Sequence, residues 1–468
     1  MSEVTQISSQ QTEPRLCSES SVPRFSHFGS QVALTFMTNL FLSGIGLVTG
    51  SLTARLLGPA GRGELASIQV WGAFVATIAL CGLSDAVIYF SSRDPAQTGR
   101  YWMSSTYCSF LCGVPILLLG NWCVPHMLIG QSKAVITILP LYTTVFFFSS
   151  ALISLSLGAV RGTGSFFVWN TLRVLPQTGW AVVVVYAFVF RQVEVPILVT
   201  WFLVSYVVAT FIIVGVMLRR VSVPFSLNVG LWPHLVRYGL PSVTGNIPGQ
   251  LMQSGRIAQL FMAVVLDPTA VGLLAVGVAL GDAIRMLPAA IASVVFPRVA
   301  AVQTEQQHTE LARGTRLTVL LTGIAAAGAI VTCPLTVPLL FGQDFQAAVP
   351  VAMLMAVGGS LEGLKMVLGG GIRGLGRPSV ILSSEFTAVV TTAVALVIFL
   401  PLWGVTGAAL ALTVGNLPAV LMLIRSVKDI TSYSSRALLQ PTAADLRLVL
   451  ASTLRGWSMM RATVVKPL

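Results

Sequence analysis

Five ionisable side chains sit deep inside stretches that are otherwise apolar: Arg256, Asp282, Arg285, Glu362 and Lys365. Charge in such surroundings is costly, so it marks a partner, a water-filled cavity or a function. An arginine fork can grip two oxygens of a phosphate or carboxylate at once. Arg256, Arg285 and Lys365 together would make a cationic lumen suited to a diphosphate or an acidic sugar. Asp282 and Glu362 each precede a base by three residues, Arg285 and Lys365 respectively. That spacing also allows a self-neutralising pair within one helix, which lowers the cost of burial. The same carboxylates, with Asp85 in an earlier apolar run, could instead exchange H+ or Na+ during a working cycle.

A second polar pattern surrounds Arg256. Ser242, Asn246, Gln250, Gln253 and Arg256 fall within roughly 120° of one face at about 100° per residue. Asn246, Gln250 and Gln253 would then form a polar cavity wall, or else hydrogen-bond to neighbouring helices. Gly245, Pro248 and Gly249 interrupt the same run and predict a hinge there. Asn39 and Asn416 read as helix–helix contacts, and Glu385 as a group that snorkels toward a membrane face.

Enzyme signatures do not rise above noise. The histidines, His27, His126, His234 and His308, fall in no H-E-x-x-H motif, and no G-x-x-x-x-G-K-[ST] loop is present. The six cysteines form no C-x-x-C pair. The expectation is a chain that is not an enzyme, with no metal and no cofactor, driven by an ion or by the gradient of its own ligand.

The elements that must carry these residues follow from composition. Of 468 residues, 55% are hydrophobic and 9% charged, against roughly a quarter charged in a soluble protein. Lipid must therefore solvate most of the exterior, and only helices satisfy their own backbone there. The fold class is all-α integral membrane, with about twelve spans near 30–54, 66–91, 101–122, 134–158, 166–190, 195–217, 239–265, 270–296, 316–341, 346–370, 379–402 and 404–425. The net charge of +12 lies between the apolar runs, which argues for topogenic charge and against nucleic acid. Arginines such as Arg93, Arg100, Arg161, Arg219, Arg220, Arg373 and Arg377 crowd one set of loops, while Arg55, Arg62, Lys133 and Arg191 occupy the other. The charge asymmetry predicts both termini in the cytoplasm.

An internal repeat divides the chain. L-x-P-x-x-x-G-x-L-A occurs at Leu57–Ala66 and at Leu266–Ala275, an offset of 209, and Arg161-Gly162-Thr163-Gly164 is echoed by Arg373-Gly374-Leu375-Gly376 at 212. Six spans per half is an even number, so the halves would insert in parallel, about an axis along the membrane normal. The expected organisation is a disordered N-terminus (1–25), an N-lobe (26–218), a cytoplasmic linker (219–238), a C-lobe (239–426) and a basic tail (427–468). Leu446, Leu450, Leu454 and Trp457 give that tail an amphipathic helical spacing.

At these residues the chain resembles a known family. Ala54-Arg55-Leu56-Leu57-Gly58-Pro59-Ala60-Gly61-Arg62-Gly63 is similar to the loop after the first helix of polysaccharide transporters, the O-antigen flippase branch of the multidrug/oligosaccharidyl-lipid/polysaccharide (MOP) exporter superfamily. Phe296-Pro297-Arg298 and Gly371-Ile372-Arg373-Gly374-Leu375-Gly376-Arg377-Pro378 resemble that family's signatures after the eighth and tenth helices. The resemblance implies a V-shaped, two-lobed transporter in the bacterial cytoplasmic (inner) membrane. Its substrate would be a polyprenyl-diphosphate-linked oligosaccharide of O-antigen, capsule or exopolysaccharide, flipped by alternating access, and its partner the polysaccharide polymerase machinery. Cation-coupled multidrug exporters and lipid II flippases share the scaffold and are the alternatives.

Overall fold

The computed structural model describes residues 25–128, 130–190, 194–223, 229–301, 304–375, 377–431 and 433–442. The expected disordered N-terminus, up to residue 24, and the amphipathic stripe of the tail lie outside them. Every described element is helical. In chain order they are α1 (Phe25–Ala79), α2 (Leu83–Arg93), α3 (Thr98–Met127), α4 (Lys133–Gly162), α5 (Phe166–Leu172), α6 (Leu175–Phe190) and α7 (Val195–Arg220). Then follow α8 (Trp232–Met252), α9 (Arg256–Val265), α10 (Pro268–Ala301), α11 (Thr304–Phe341), α12 (Val349–Gly374), α13 (Pro378–Thr431) and α14 (Ser435–Leu439).

Among the described residues, nine helical segments are long and apolar enough to cross a bilayer. Two of them, of 46 and 53 residues, are about twice what 30 Å of hydrocarbon requires. Each turns sharply at one glycine. Within α1 it is Gly58, at φ 65° and ψ −178°, and within α13 it is Gly404, at φ 55° and ψ −130°. These backbone conformations are essentially open to glycine alone. Pro59 then starts the second arm of α1, where its missing N–H leaves no donor unpaired. Prolines play the same part in the first turns of α7, α8 and α12.

The outer surface is apolar, as a lipid-solvated exterior requires. Val331, Phe211 and Leu335 are 79%, 75% and 71% exposed. The largest apolar core joins residues from the first and second halves, with Leu65, Tyr142 and Leu198 packing in one cluster with Val271, Val351 and Leu412.

The tightest junction between the halves is made by the two copies of the repeated motif. A Cβ added to Gly63 would overlap the carbonyl oxygen of Pro268, and one added to Gly272 would overlap that of Pro59. The contact is reciprocal, each glycine lying against the other copy's proline. Glycine is required because the backbones of α1 and α10 touch directly. Beside this seam Arg55 Nε donates to the carbonyl of Leu340 at 2.8 Å, and its guanidinium also reaches Leu339. Ser51 donates to Leu340 as well. A side chain from α1 thereby caps two orphan carbonyls at the C-terminal end of α11. Arg55, counted in the sequence as a loop charge, holds one half of the chain to the other.

One expected element is differently built. The run at 239–265 is not a helix hinged at Gly245, Pro248 and Gly249, because α8 continues through all three. It breaks further on, at Ser254 and Gly255, with φ of 53° and 61°. A Cβ on Gly255 would stand 2.9 Å from the Leu412 side chain, so the break brings this backbone against α13. A single stripe at 100° per residue therefore does not extend across 242–256.

Candidate functional site

A cavity of about 800 Å³ lies between α1, α4, α6 and α7 on one wall and the break at 253–255, α9 and α10 on the other. That volume suits a substantial polar ligand. The seam of Gly63, Gly272 and Arg55 adjoins it, since Arg62, next to Gly63 on the second arm of α1, is a lining residue. Four arginines, Arg62, Arg173, Arg256 and Arg285, line it, against one carboxylate, Asp282.

The arginines differ in how fully their charge is engaged. Arg285 donates to Asp282 Oδ1 at 2.9 Å and to Glu362 Oε1 at 3.2 Å. A third contact reaches Ser254 Oγ at 3.4 Å. Two carboxylates thus offset one half-buried base. Arg256 donates to Gln250 Oε1 at 2.7 Å, a neutral partner that leaves its charge available. Arg173 donates to the amide oxygen of Asn39 and lies over the Trp169 ring, 4.6 Å from its centroid. Arg62 is the most isolated: its Nε is enclosed without a hydrogen-bond partner among the described residues. Burying such a donor unpaired is costly, and Arg173 Nε is enclosed without a partner in the same way.

The expected site residues divide accordingly. Arg256, Arg285, Asp282 and Gln253 line the cavity, and Gln250 lies in the adjoining recess with Arg256. The Asn246 side chain lies outside the described residues. Lys365 sits away from this lining. It is 6% exposed and pairs with Glu385 Oε2 at 2.8 Å, between α12 and α13. Glu385 therefore turns inward to a base and does not snorkel. Glu362 also lies behind the wall, held on Arg285. The intrahelical pair forms at Asp282 and Arg285, whereas Glu362 and Lys365 each bond across helices. A rotation of α12 that aims the two at different neighbours decides this, and spacing along one helix cannot reveal it. Asp85 occupies the first turn of α2, where a helix N-terminus favours a carboxylate.

Arg62 and Arg173 were not singled out by sequence reasoning. Arg62 counts as a loop charge in the sequence, although the Gly58 turn puts it one turn into the second arm. Arg173 is the one formal charge in residues 166–190, which is the signal that marks it. The aromatic residues Tyr142, Phe146, Trp180, Phe202 and Tyr206 also line the first-half wall.

Comparisons with known proteins place this architecture. The family described as polysaccharide biosynthesis protein matches residues 52–350. The structure of a lipid II flippase, MurJ, in an inward closed conformation matches with a TM-score of 0.74 at 14% identity, over 90% of this chain and 93% of that one. An inward-facing multidrug resistance MATE transporter of the MOP superfamily matches at 0.63 and 18%, over 84% and 96%. The MATE multidrug transporter DinF-BH matches at 0.57 and 14%, over 88% and 97%. At these identities the likeness establishes a shared fold. No curated protein matches the chain.

Proposed function

Because the chain belongs to the polysaccharide biosynthesis protein family, we propose that it is a flippase that carries a polyprenyl-diphosphate-linked oligosaccharide across the bacterial cytoplasmic membrane. Two six-helix lobes would alternate access to the cavity, with both termini cytoplasmic. The observation that carries this reading is the charge of the cavity: four arginines against one aspartate. Such a wall attracts a diphosphate and repels the organic cations a drug exporter would take.

Arg173 and Arg256 are the bases best placed to receive phosphate oxygens, since each donates to a neutral amide oxygen and neither is held by a carboxylate in the ion pairs described. Arg285 is held in reserve by Asp282 and Glu362. Protonation of either acid, or its capture of a cation, would release this base toward the ligand. That exchange is where H+ or Na+ would couple to transport.

The test is transport by purified protein in liposomes, with fluorescent polyprenyl-diphosphate oligosaccharide in one leaflet and a leaflet-specific quencher as readout. Wild type should move the lipid and the R173Q/R256Q double variant should not. Export of a cationic dye without movement of the lipid-linked sugar would instead establish a multidrug exporter. Movement of lipid II alone would assign the chain to peptidoglycan synthesis.

A further inference from the structure

The cavity lining is chemically of two kinds, and the function proposed above uses only its arginines. On the first-half wall four rings lie in near-parallel register. Tyr142 and Phe146 are four residues apart on α4, and Phe202 and Tyr206 four apart on α7, a spacing that puts each pair on one helix face. Their centroids are 5.3 Å apart for Tyr142 and Phe146, 5.1 Å for Phe146 and Tyr206, and 5.3 Å for Phe202 and Tyr206. The corresponding interplanar angles are 10°, 19° and 29°. Trp180 from α6 stands edge-on to Phe202 at 5.2 Å and 88°. Tyr142 is fully buried behind the others, while Phe146, Trp180, Phe202 and Tyr206 are half-buried and border the cavity.

An aromatic cluster that only filled a core would be enclosed on all sides. This one borders a space that also meets arginine and glutamine, a polar setting in which exposed rings gain nothing from water. A pyranose ring suits such a border. One of its faces carries C–H groups that pack on aromatic π-faces, and its rim carries hydroxyls that both donate and accept. Gln69 and Gln177 line the same cavity, and a glutamine amide offers both donor and acceptor. Gln177 lies three residues from Trp180 on α6, so ring and amide share a face.

The helices also set the order along the cavity. Phe202 lies seven residues into α7, Tyr142 nine into α4, and Arg285 seventeen into α10. At about 1.5 Å per residue, the rings lie roughly 10–20 Å from the seam end and Arg285 about 25 Å from it. Resting on the flippase reading, we propose that Phe146, Trp180, Phe202 and Tyr206 form a glycan-stacking platform that receives the sugar portion of the substrate toward the seam, while Arg173, Arg256 and Arg285, farther from it, hold its diphosphate.

The experiment measures binding to purified protein in nanodiscs with three probes: polyprenyl diphosphate, the same lipid bearing one hexose, and the same lipid bearing a tetrasaccharide. The variants are Phe146→Leu, Trp180→Leu and Tyr206→Leu, which keep apolar volume and remove the π-face. A W180L/Y206L double variant and size-exclusion profiles guard against misfolding. Wild type should bind the glycosylated lipids more tightly than the bare one. Each leucine variant should lose about tenfold affinity for the tetrasaccharide lipid and stay within about twofold for the bare diphosphate. Equal losses for all three probes, or no loss, would overturn the platform and leave the flippase reading standing. A wild type that binds none of the three lipids would overturn both.

Discussion

Replacing Gly63 by alanine places a methyl group in the seam where α1 meets α10. The new Cβ would stand 2.5 Å from the Pro268 carbonyl carbon and 2.9 Å from the Gly272 nitrogen. Carbon atoms pack at about 3.5–4.0 Å, so the two backbones must part by about 1 Å or more. Neither neighbour is a side chain that can rotate aside. Overpacking of this kind costs about 1–3 kcal/mol in a dense interior. Because the seam joins the two halves, the strain falls on the seam-closed state and is relieved when they separate. A bias of about 2 kcal/mol shifts such an equilibrium about 30-fold. The assay is thiol labelling of a Gln69→Cys reporter in a cysteine-free background, in cells, with a membrane-impermeant maleimide added outside. Gln69 lines the cavity, and positive-inside topology predicts the seam on the outer face, so a closed seam shields the reporter. Gly63→Ala should raise the labelling rate by about tenfold or more, and Gly272→Ala should do the same. Gly215, with no atom within 4 Å of an added Cβ, provides the control. Labelling and transport both at wild-type rates in Gly63→Ala would refute the seam as a gate.

Three other perturbations test the remaining contacts. Lys365→Met leaves Glu385 buried without its 2.8 Å partner and should destabilise by about 3–5 kcal/mol; K365M/E385M should recover much of this in thermal unfolding in detergent. Arg55→Ala removes the donors on Leu339 and Leu340 and should cost about 1–3 kcal/mol, again with faster labelling of the Gln69→Cys reporter. Gly255→Ala forces a side chain into a left-handed residue 2.9 Å from Leu412; the expected cost of about 1–3 kcal/mol should appear as a lowered Tm, with the Gly215→Ala control unchanged.

Much of the site was within reach of the sequence, and the misses share one cause. Arg256, Arg285 and Asp282 stand out because a charge inside an apolar run is conspicuous at any rotation of its helix. Lys365 is equally conspicuous, yet α12 turns it to Glu385 and away from the cavity. Arg62 carries the opposite lesson: it reads as a loop charge until the Gly58 turn puts it on the second arm of α1 and into the lining. The hinge expected at Gly245, Pro248 and Gly249 formed at Ser254 and Gly255. Glycine and proline permit a break in a helix, but packing against Leu412 decides where it falls.

The sequence alone determined the solvent, the class of secondary structure and the repeated motif. Those depend on hydropathy, backbone satisfaction and local turn chemistry, all of which are written along the chain. Only the tertiary structure decided which acid each base meets, that the two copies of the motif touch each other, and that rings from α4, α6 and α7 face arginines from α9 and α10 across one cavity. Those outcomes depend on the rotation of each helix and on its neighbours, which residues far apart in the chain settle jointly through packing.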